Sequence, residues 1–202
     1  MDSTNRRSSA AKPAGECSDE ELMVAFSRGS QNAFDELFLR YKQPLFGFFQ
    51  RRMADVAQAE ELTQESFLAV IRTSSRYQPS ALFRTYLYAI GLKILSAYRR
   101  KAAFRAYFTG EPDAYRELAA LGNLETEYVL RQAVGILDRL EREILLLREF
   151  EQLSYSEIGE LLHLPVNTVR SRLFRARLAL HNLLAAPAPT SSAEQARIEK
   201  RA

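Results

Sequence analysis

Apolar residues in this chain recur at the spacing of a helix face. Phe34, Leu37, Phe38, Tyr41, Leu45 and Phe48 keep that period, and Phe83, Leu87, Ile90, Ile94 and Tyr98 repeat it further on. Long apolar runs rich in valine and isoleucine, the mark of buried strands, are missing. Glycine is also scarce, at eight of 202 residues. Both facts point to an all-α fold. The length admits one or two domains, and residues 103–123 change character: Gly110, Pro112 and Gly122 stand among Glu111, Asp113 and Glu117. That stretch reads as a flexible linker with room for a short helix around 115–120. The expectation is two small helical domains, 18–102 and 124–186. They are flanked by polar tails at 1–17 and 187–202 that read as disordered.

Capping signals place the helices. Ser18 with Glu21 is a capping box, and Gly29 stops the helix it opens. A second helix starts near Asn32, with a kink or break expected at Pro44. Asp55 caps a third, in which Val56, Ala59, Leu62, Thr63, Ser66 and Val70 share the face expected to be buried. Glu61, Glu65, Leu68 and Arg72 lie on the opposite face at i, i+4, i+7 and i+11, with Gln64 beside them. Tyr77-Gln78-Pro79-Ser80 ends that helix and caps the fourth, which runs into Arg99-Arg100-Lys101. In the second half the pattern predicts helices over 125–137, 141–150, 155–163 and 166–184.

Charge is segregated along the chain. From Ser66 to Gly110 there are eight basic residues and no acid. Ala54 to Glu65 holds Asp55, Glu60, Glu61 and Glu65 and no base. Leu161 to Ala193 is again free of acid and carries Arg170, Arg172, Arg175 and Arg177. Two basic stretches suggest a polyanion gripped at two places, and the acidic helix suits a basic partner. No apolar run approaches the 18 residues of a span, so no membrane insertion is expected. The single cysteine, Cys17, excludes an intramolecular disulfide and a thiolate zinc site, and suits a cytoplasmic protein. His163 and His181 stand far apart with no cysteine nearby, so no metal is expected. Phosphate-binding glycine loops, G-x-G-x-x-G and H-E-x-x-H are missing as well. No cofactor and no catalytic residue is expected.

Ser154-Tyr155-Ser156-Glu157 is a second capping box, opening a helix whose apolar stripe is Ile158, Leu161 and Leu162. It ends at His163-Leu164, and Pro165 fits the first position of the next helix. Short helix, tight turn, second helix is a DNA-binding arrangement. In the second helix Val166, Val169, Leu173, Ala176 and Leu180 form the stripe expected to be buried. Asn167, Arg170, Ser171, Phe174, Arg175 and Leu178 point the other way. Those arginines suit guanine edges or phosphates, and Phe174 a thymine methyl. Alone, that face fits a solvated basic helix equally well; the capped preceding helix and the acid-free stretch favour DNA.

The segment from Ser154 to Arg177 resembles the fourth conserved region of extracytoplasmic-function sigma factors, bacterial RNA polymerase subunits of the sigma-70 class. Ala59-Glu60-Glu61-Leu62-Thr63-Gln64-Glu65-Ser66-Phe67 resembles their polymerase-binding helix. Phe83-Arg84-Thr85-Tyr86-Leu87-Tyr88-Ala89-Ile90 resembles the start of their minus-ten helix. The resemblance implies a promoter-recognising subunit in which Glu61, Gln64, Glu65 and Leu68 dock on the clamp helices of the largest polymerase subunit. Arg76, Tyr77, Arg84, Tyr86, Tyr88 and Lys93 would meet the minus-ten element as single strand, with Arg99, Arg100 and Lys101 on phosphates. For each tyrosine, core packing is the competing reading. Arg170, Ser171, Phe174 and Arg175 would face the major groove of the minus-thirty-five element. Ser154, Tyr155, Pro165, Asn167, Thr168 and Arg172 would contact its phosphates.

The chain departs from the family at Tyr86, where relatives usually carry Trp, and at Lys93, where they usually carry Asn. Most relatives are held inactive by an anti-sigma partner, so one is expected here. The other reading is a stand-alone helix-turn-helix regulator, which would bind duplex DNA specifically by itself. A third, an RNA-binding adaptor, explains the basic stretch but not the second unit.

Overall fold

The structure, a computed structural model, describes residues 17–53, 55–79, 82–109 and 133–185. Among them every regular element is helical: α1 (Asp19–Ser27), α2 (Gln31–Gln50), α3 (Val56–Thr73), a 3-10 turn (Ser74–Arg76), α4 (Phe83–Thr109), α5 (Arg139–Glu149), α6 (Tyr155–Leu162) and α7 (Val166–Ala185). The chain divides into two compact units between Phe108 and Thr109. The two tails, the short helix expected around 115–120, and Ser80 lie outside the described residues.

In the first unit the Ser18–Glu21 capping box forms in both directions, at 3.1 and 2.9 Å. Gly29 ends the turn after α1 at φ +101°, a conformation a side chain would strain. Of the kink or break expected at Pro44, the break does not occur: α2 runs on through it. Pro44 is exposed, on the side where a displaced carbonyl can turn to water, while Leu37, Leu45, Phe48 and Phe49 are fully buried on the other. Burial of side chains this size stabilises by roughly 1.5–3 kcal/mol each, enough to hold the helix through the missing hydrogen bond.

Asp55 caps α3 by accepting from the Ala57 N–H at 2.8 Å. Ala59, Leu62, Thr63, Ser66 and Val70 are buried as the spacing predicts. Phe67 joins them, whereas Val56 is 51% exposed. Val56 opens the helix, one turn before the packed stripe begins at Ala59. The buried hydroxyls of Thr63 and Ser66 donate back to the carbonyls of Ala59 and Leu62, so neither is left unsatisfied.

α4 extends to Thr109, seven residues into the segment that reads as linker, 103–109. Ala102, Ala103, Arg105 and Ala106 are good helix formers, and no glycine intervenes before Gly110. Its buried positions are Phe83, Thr85, Leu87, Tyr88, Gly91 and Leu95, while Ile90, Ile94 and Tyr98 are only half-buried. The face is turned from the expected one because the aromatic rings of α2 set it. Phe48 packs on Tyr88 at 5.2 Å and Tyr41 on Phe83 at 5.2 Å between centroids. Buried Arg52 lies 3.8 Å over the Phe48 ring and donates to the Phe48 carbonyl at 2.8 Å.

In the second unit residues 133–136 form one helical turn, the described part of the helix expected over 125–137. Asp138 caps α5 by accepting from the Leu140 N–H at 2.9 Å. Ile144, Leu147, Leu153, Ile158, Val169, Leu173 and Ala176 make the core. Between α5 and α6, Gln152 turns the chain at φ 56°, and the Leu153 N–H reaches back to the Leu147 carbonyl. The Ser154–Glu157 box opens α6 in both directions, at 3.2 and 2.8 Å.

Candidate nucleic-acid interface

α6, the turn and α7 set the geometry of the second unit. His163 takes the left-handed conformation, φ 56° and ψ 47°, at the end of α6. Histidine tolerates it better than most residues. The Leu164 N–H then closes the turn on the Gly159 carbonyl at 2.8 Å. That closure leaves no space at Gly159, where an added Cβ would sit 2.8 Å from the Leu164 carbonyl oxygen. Gly159→Ala should therefore lower the stability of this unit by roughly 1–3 kcal/mol, read as a drop in its thermal midpoint, because backbone rather than a mobile side chain must shift.

Pro165 stands one position earlier than expected. Its carbonyl accepts from Thr168 and Val169, so it caps α7 rather than opening it. Val169, Leu173 and Ala176 are buried and Leu180 half-buried, but Val166 is 38% exposed. As the first residue of α7 it only brushes the end of α6 near Gly159. In α6, Ile158 is buried whereas Leu161 and Leu162 are half-buried.

The opposite face of α7 is open as the spacing predicts. Asn167, Arg170, Ser171 and Arg175 are exposed, and Phe174 is 68% exposed. Tertiary contacts add acids that the local sequence lacks. Arg175 lies 3.4 Å from Glu141, Arg172 lies 3.6 Å from Asp138, and Arg177 binds Glu149 at 2.5 Å. The Glu149 hydrogen bond raises the Arg177 pKa above its ordinary value. Each pair has at least one exposed partner and contributes about 0–1 kcal/mol, so an anion can displace it. Arg170 instead stands over the Tyr155 ring, 5.7 Å from its centroid, and Arg148 faces that ring at 5.2 Å. Ser154, Tyr155, Thr168 and Arg172 are half-buried, and Pro165 is exposed.

In the first unit, Glu61, Gln64, Glu65 and Arg72 are exposed on α3, around Leu68 at 53% exposure. Tyr86, Lys93 and Arg100 follow one another every seven residues along one side of α4. Arg76, Lys93, Arg100 and Lys101 are exposed, and Arg84 and Arg99 half-buried. The Tyr77 ring meets Tyr86 edge-on at 5.2 Å, and the Tyr86 and Thr73 hydroxyls lie 2.6 Å apart. The Tyr77 hydroxyl is buried and finds no hydrogen-bond partner among the described residues. Burial first, then the charge of Glu20, pushes its pKa up to about 12. Tyr88 corrects the expectation of a DNA-facing residue. It is 5% exposed and packed on Phe48, so its ring has no face left for a base.

Two groups of residues went unseen in the sequence. The pairing of Asp138, Glu141 and Glu149 with α7 arises only in three dimensions, although Asp138 followed by Glu141 is itself a readable capping signal. The start of α4 is also held from a distant element. The Leu82 carbonyl accepts from the Tyr86 N–H, and the Phe83 N–H donates to Glu20 Oε1 at 2.8 Å. Nothing local in the sequence signals a contact across 63 positions.

No group of His, Cys, Asp or Glu among the described residues could hold a metal ion, and no described helix is long and apolar enough to cross a membrane. The α6–turn–α7 geometry with its open arginine face defines a helix-turn-helix DNA-binding protein. Residues 37–105 match the family model for sigma-70 region 2, and residues 128–180 that for sigma-70, region 4. The first match begins within α2, so α1 precedes it. The chain is 32% identical over 180 residues to the RNA polymerase sigma-H factor of Pseudomonas aeruginosa, covering 82% of this chain and 93% of that one. Among solved structures it is similar to CnrH in complex with the cytosolic domain of CnrY, at 25% identity and TM-score 0.67, over 84% of this chain and 99% of that one. It shares its fold with the sigma factor RpoE of Bartonella quintana in complex with the anti-sigma factor NepR, at 20% identity and TM-score 0.63, over 76% and 97%. The chain belongs to the extracytoplasmic-function subfamily of sigma-70 RNA polymerase sigma factors.

Proposed function

We propose that the three surfaces divide the work of promoter recognition. The exposed acids of α3 around Leu68 dock the chain on the clamp helices of the largest polymerase subunit. The segment from Arg76 through α4 takes the minus-ten element as single strand, with Tyr77 and Tyr86 beside the bases and Arg76, Arg84, Lys93, Arg99, Arg100 and Lys101 along the backbone. The outer face of α7 reads the minus-thirty-five duplex through Arg170, Ser171, Phe174 and Arg175. Ser154, Tyr155, Pro165, Asn167, Thr168 and Arg172 hold its phosphates. One observation carries the reading: the acids Glu61 and Glu65 stand exposed on α3, whereas every charged residue of α4 is basic. A protein docked by one and a polyanion held by the other need not compete.

Bond formation belongs to the polymerase, and this chain supplies specificity in the cytoplasm, at the nucleoid when bound. CnrH is found with a domain of CnrY on it. An anti-sigma partner covering these surfaces is proposed here too. The test is run-off transcription with purified core polymerase on a promoter library. A defined promoter class transcribed only when the chain is present supports the proposal. Specific duplex binding without core, and no transcription with it, would favour a stand-alone regulator.

The exposed basic pair at the middle of α4 gives a second test. Replacing Arg100 and Lys101 with alanine should weaken holoenzyme binding about equally for all promoters and reduce the salt slope by about one unit per lost phosphate contact. Binding assays across a salt series check this. A loss confined to particular minus-ten sequences would make these residues readers rather than grips.

A further inference from the structure

α1 precedes the matched region and carries no residue assigned to DNA or polymerase. Its first turn is nevertheless spent on other elements. Asp19 accepts from Arg40 at 2.7 Å and from the Tyr41 hydroxyl, which seats α1 on α2. Glu20, next along, turns toward α4. That helix has a leucine, Leu82, where a side-chain cap would stand, and leucine has no acceptor to offer. Glu20 Oε1 fills the role from outside by accepting the N–H of Phe83, the first helical residue. Phe83 is buried and its N–H has no helical partner, so this part-buried hydrogen bond supplies its acceptor. A carboxylate at a helix N-terminus is also favoured by the helix dipole. Phe83 in turn packs on Tyr86 at 6.3 Å, and Tyr86 on Tyr77 at 5.2 Å. α1 lies against the 3-10 turn that carries Arg76 as well.

We propose that Glu20 is a positioning residue for minus-ten recognition: by holding the Phe83 N–H it fixes the start of α4, and with it Arg76, Tyr77 and Tyr86. The inference rests on the proposal that this segment meets the minus-ten strand. Glu20 itself touches no DNA. Its acceptor oxygen matters and its charge is secondary, so glutamine can replace it and alanine cannot.

The experiment uses reconstituted holoenzyme and a promoter selected from the library, pre-melted over its minus-ten element, in intact and scrambled forms. Glu20→Ala should reduce the preference for the intact form about fivefold to tenfold, the scale of one lost hydrogen bond to a charged acceptor. Co-elution with core and the circular dichroism of the free chain should be unchanged. Glu20→Gln should restore the preference to within about twofold, since the amide oxygen accepts as the carboxylate does. An undiminished preference in Glu20→Ala overturns the inference. So does a parallel loss of core binding, which would make the role merely structural, or a Glu20→Gln variant as impaired as alanine. Tyr86→Ala in the same assay separates the two levels. If it lowers the preference and Glu20→Ala does not, only the role of Glu20 fails. If neither has an effect, the minus-ten reading of this segment fails and the inference goes with it.

Discussion

Leu173→Ala is expected to lower the stability of the second unit by roughly 2–5 kcal/mol, because it empties a core position that neighbouring side chains only partly refill. Leu173 is 2% exposed, between Val169 and Ala176 on the buried face of α7. Binding to every promoter should fall with the fold. Arg175→Ala, on the other side of the same helix, should act differently. It removes an exposed side chain whose bond to Glu141 contributes about 0–1 kcal/mol, so the thermal midpoint should hardly move. Binding to the preferred minus-thirty-five sequence should drop by about 1–3 kcal/mol, with specificity relaxed at one or two base pairs. Thermal melts of both variants, paired with transcription from promoters varied in that element, check the contrast. Equal losses of melting temperature with base preference intact would mean that α7 does not read DNA by this face.

Reversing Glu61 and Glu65 to lysine together is expected to give the other large effect. Both side chains are exposed on α3, beside Leu68 and opposite the buried stripe, so helical content should be unchanged. If these acids meet basic clamp helices, the reversal turns attraction into like-charge opposition, costing several kcal/mol on the order of a complete loss of assembly. Co-elution with core polymerase in a salt series measures it, and the defect should shrink as salt screens the charges. Unaltered co-elution would remove α3 from the polymerase interface.

Local rules read the helices of this chain well. Each capping box forms where Ser18 and Ser154 stand, Gly29 ends α1, α6 stops at His163, and the outer face of α7 is the one its spacing assigns. These signals depend on neighbours within four residues, and that is what a sequence displays. Misreadings gather where a distant element decides. Pro44 does not break α2, because the packing of Phe48 and Phe49 outweighs one lost hydrogen bond. Tyr88 is core because the Phe48 ring lies over it, and the face of α4 is turned to match. The helix also outlasts the linker boundary, since alanines continued it where charge and glycine patterns marked an end.

What the sequence determined by itself, then, is the run of helices, their caps, the sidedness of α3 and α7, and the motifs that place the chain among sigma factors. Only the tertiary structure decided which charges meet. The stretch around Arg170–Arg177 is free of acid along the chain, yet Asp138, Glu141 and Glu149 stand against it across the unit. The start of α4 is likewise held by Glu20, 63 positions away. The reason is physical: helical period and capping act over one or two turns, whereas an ion pair or a borrowed cap needs only proximity in space. Packing sets that proximity, and no local pattern encodes it.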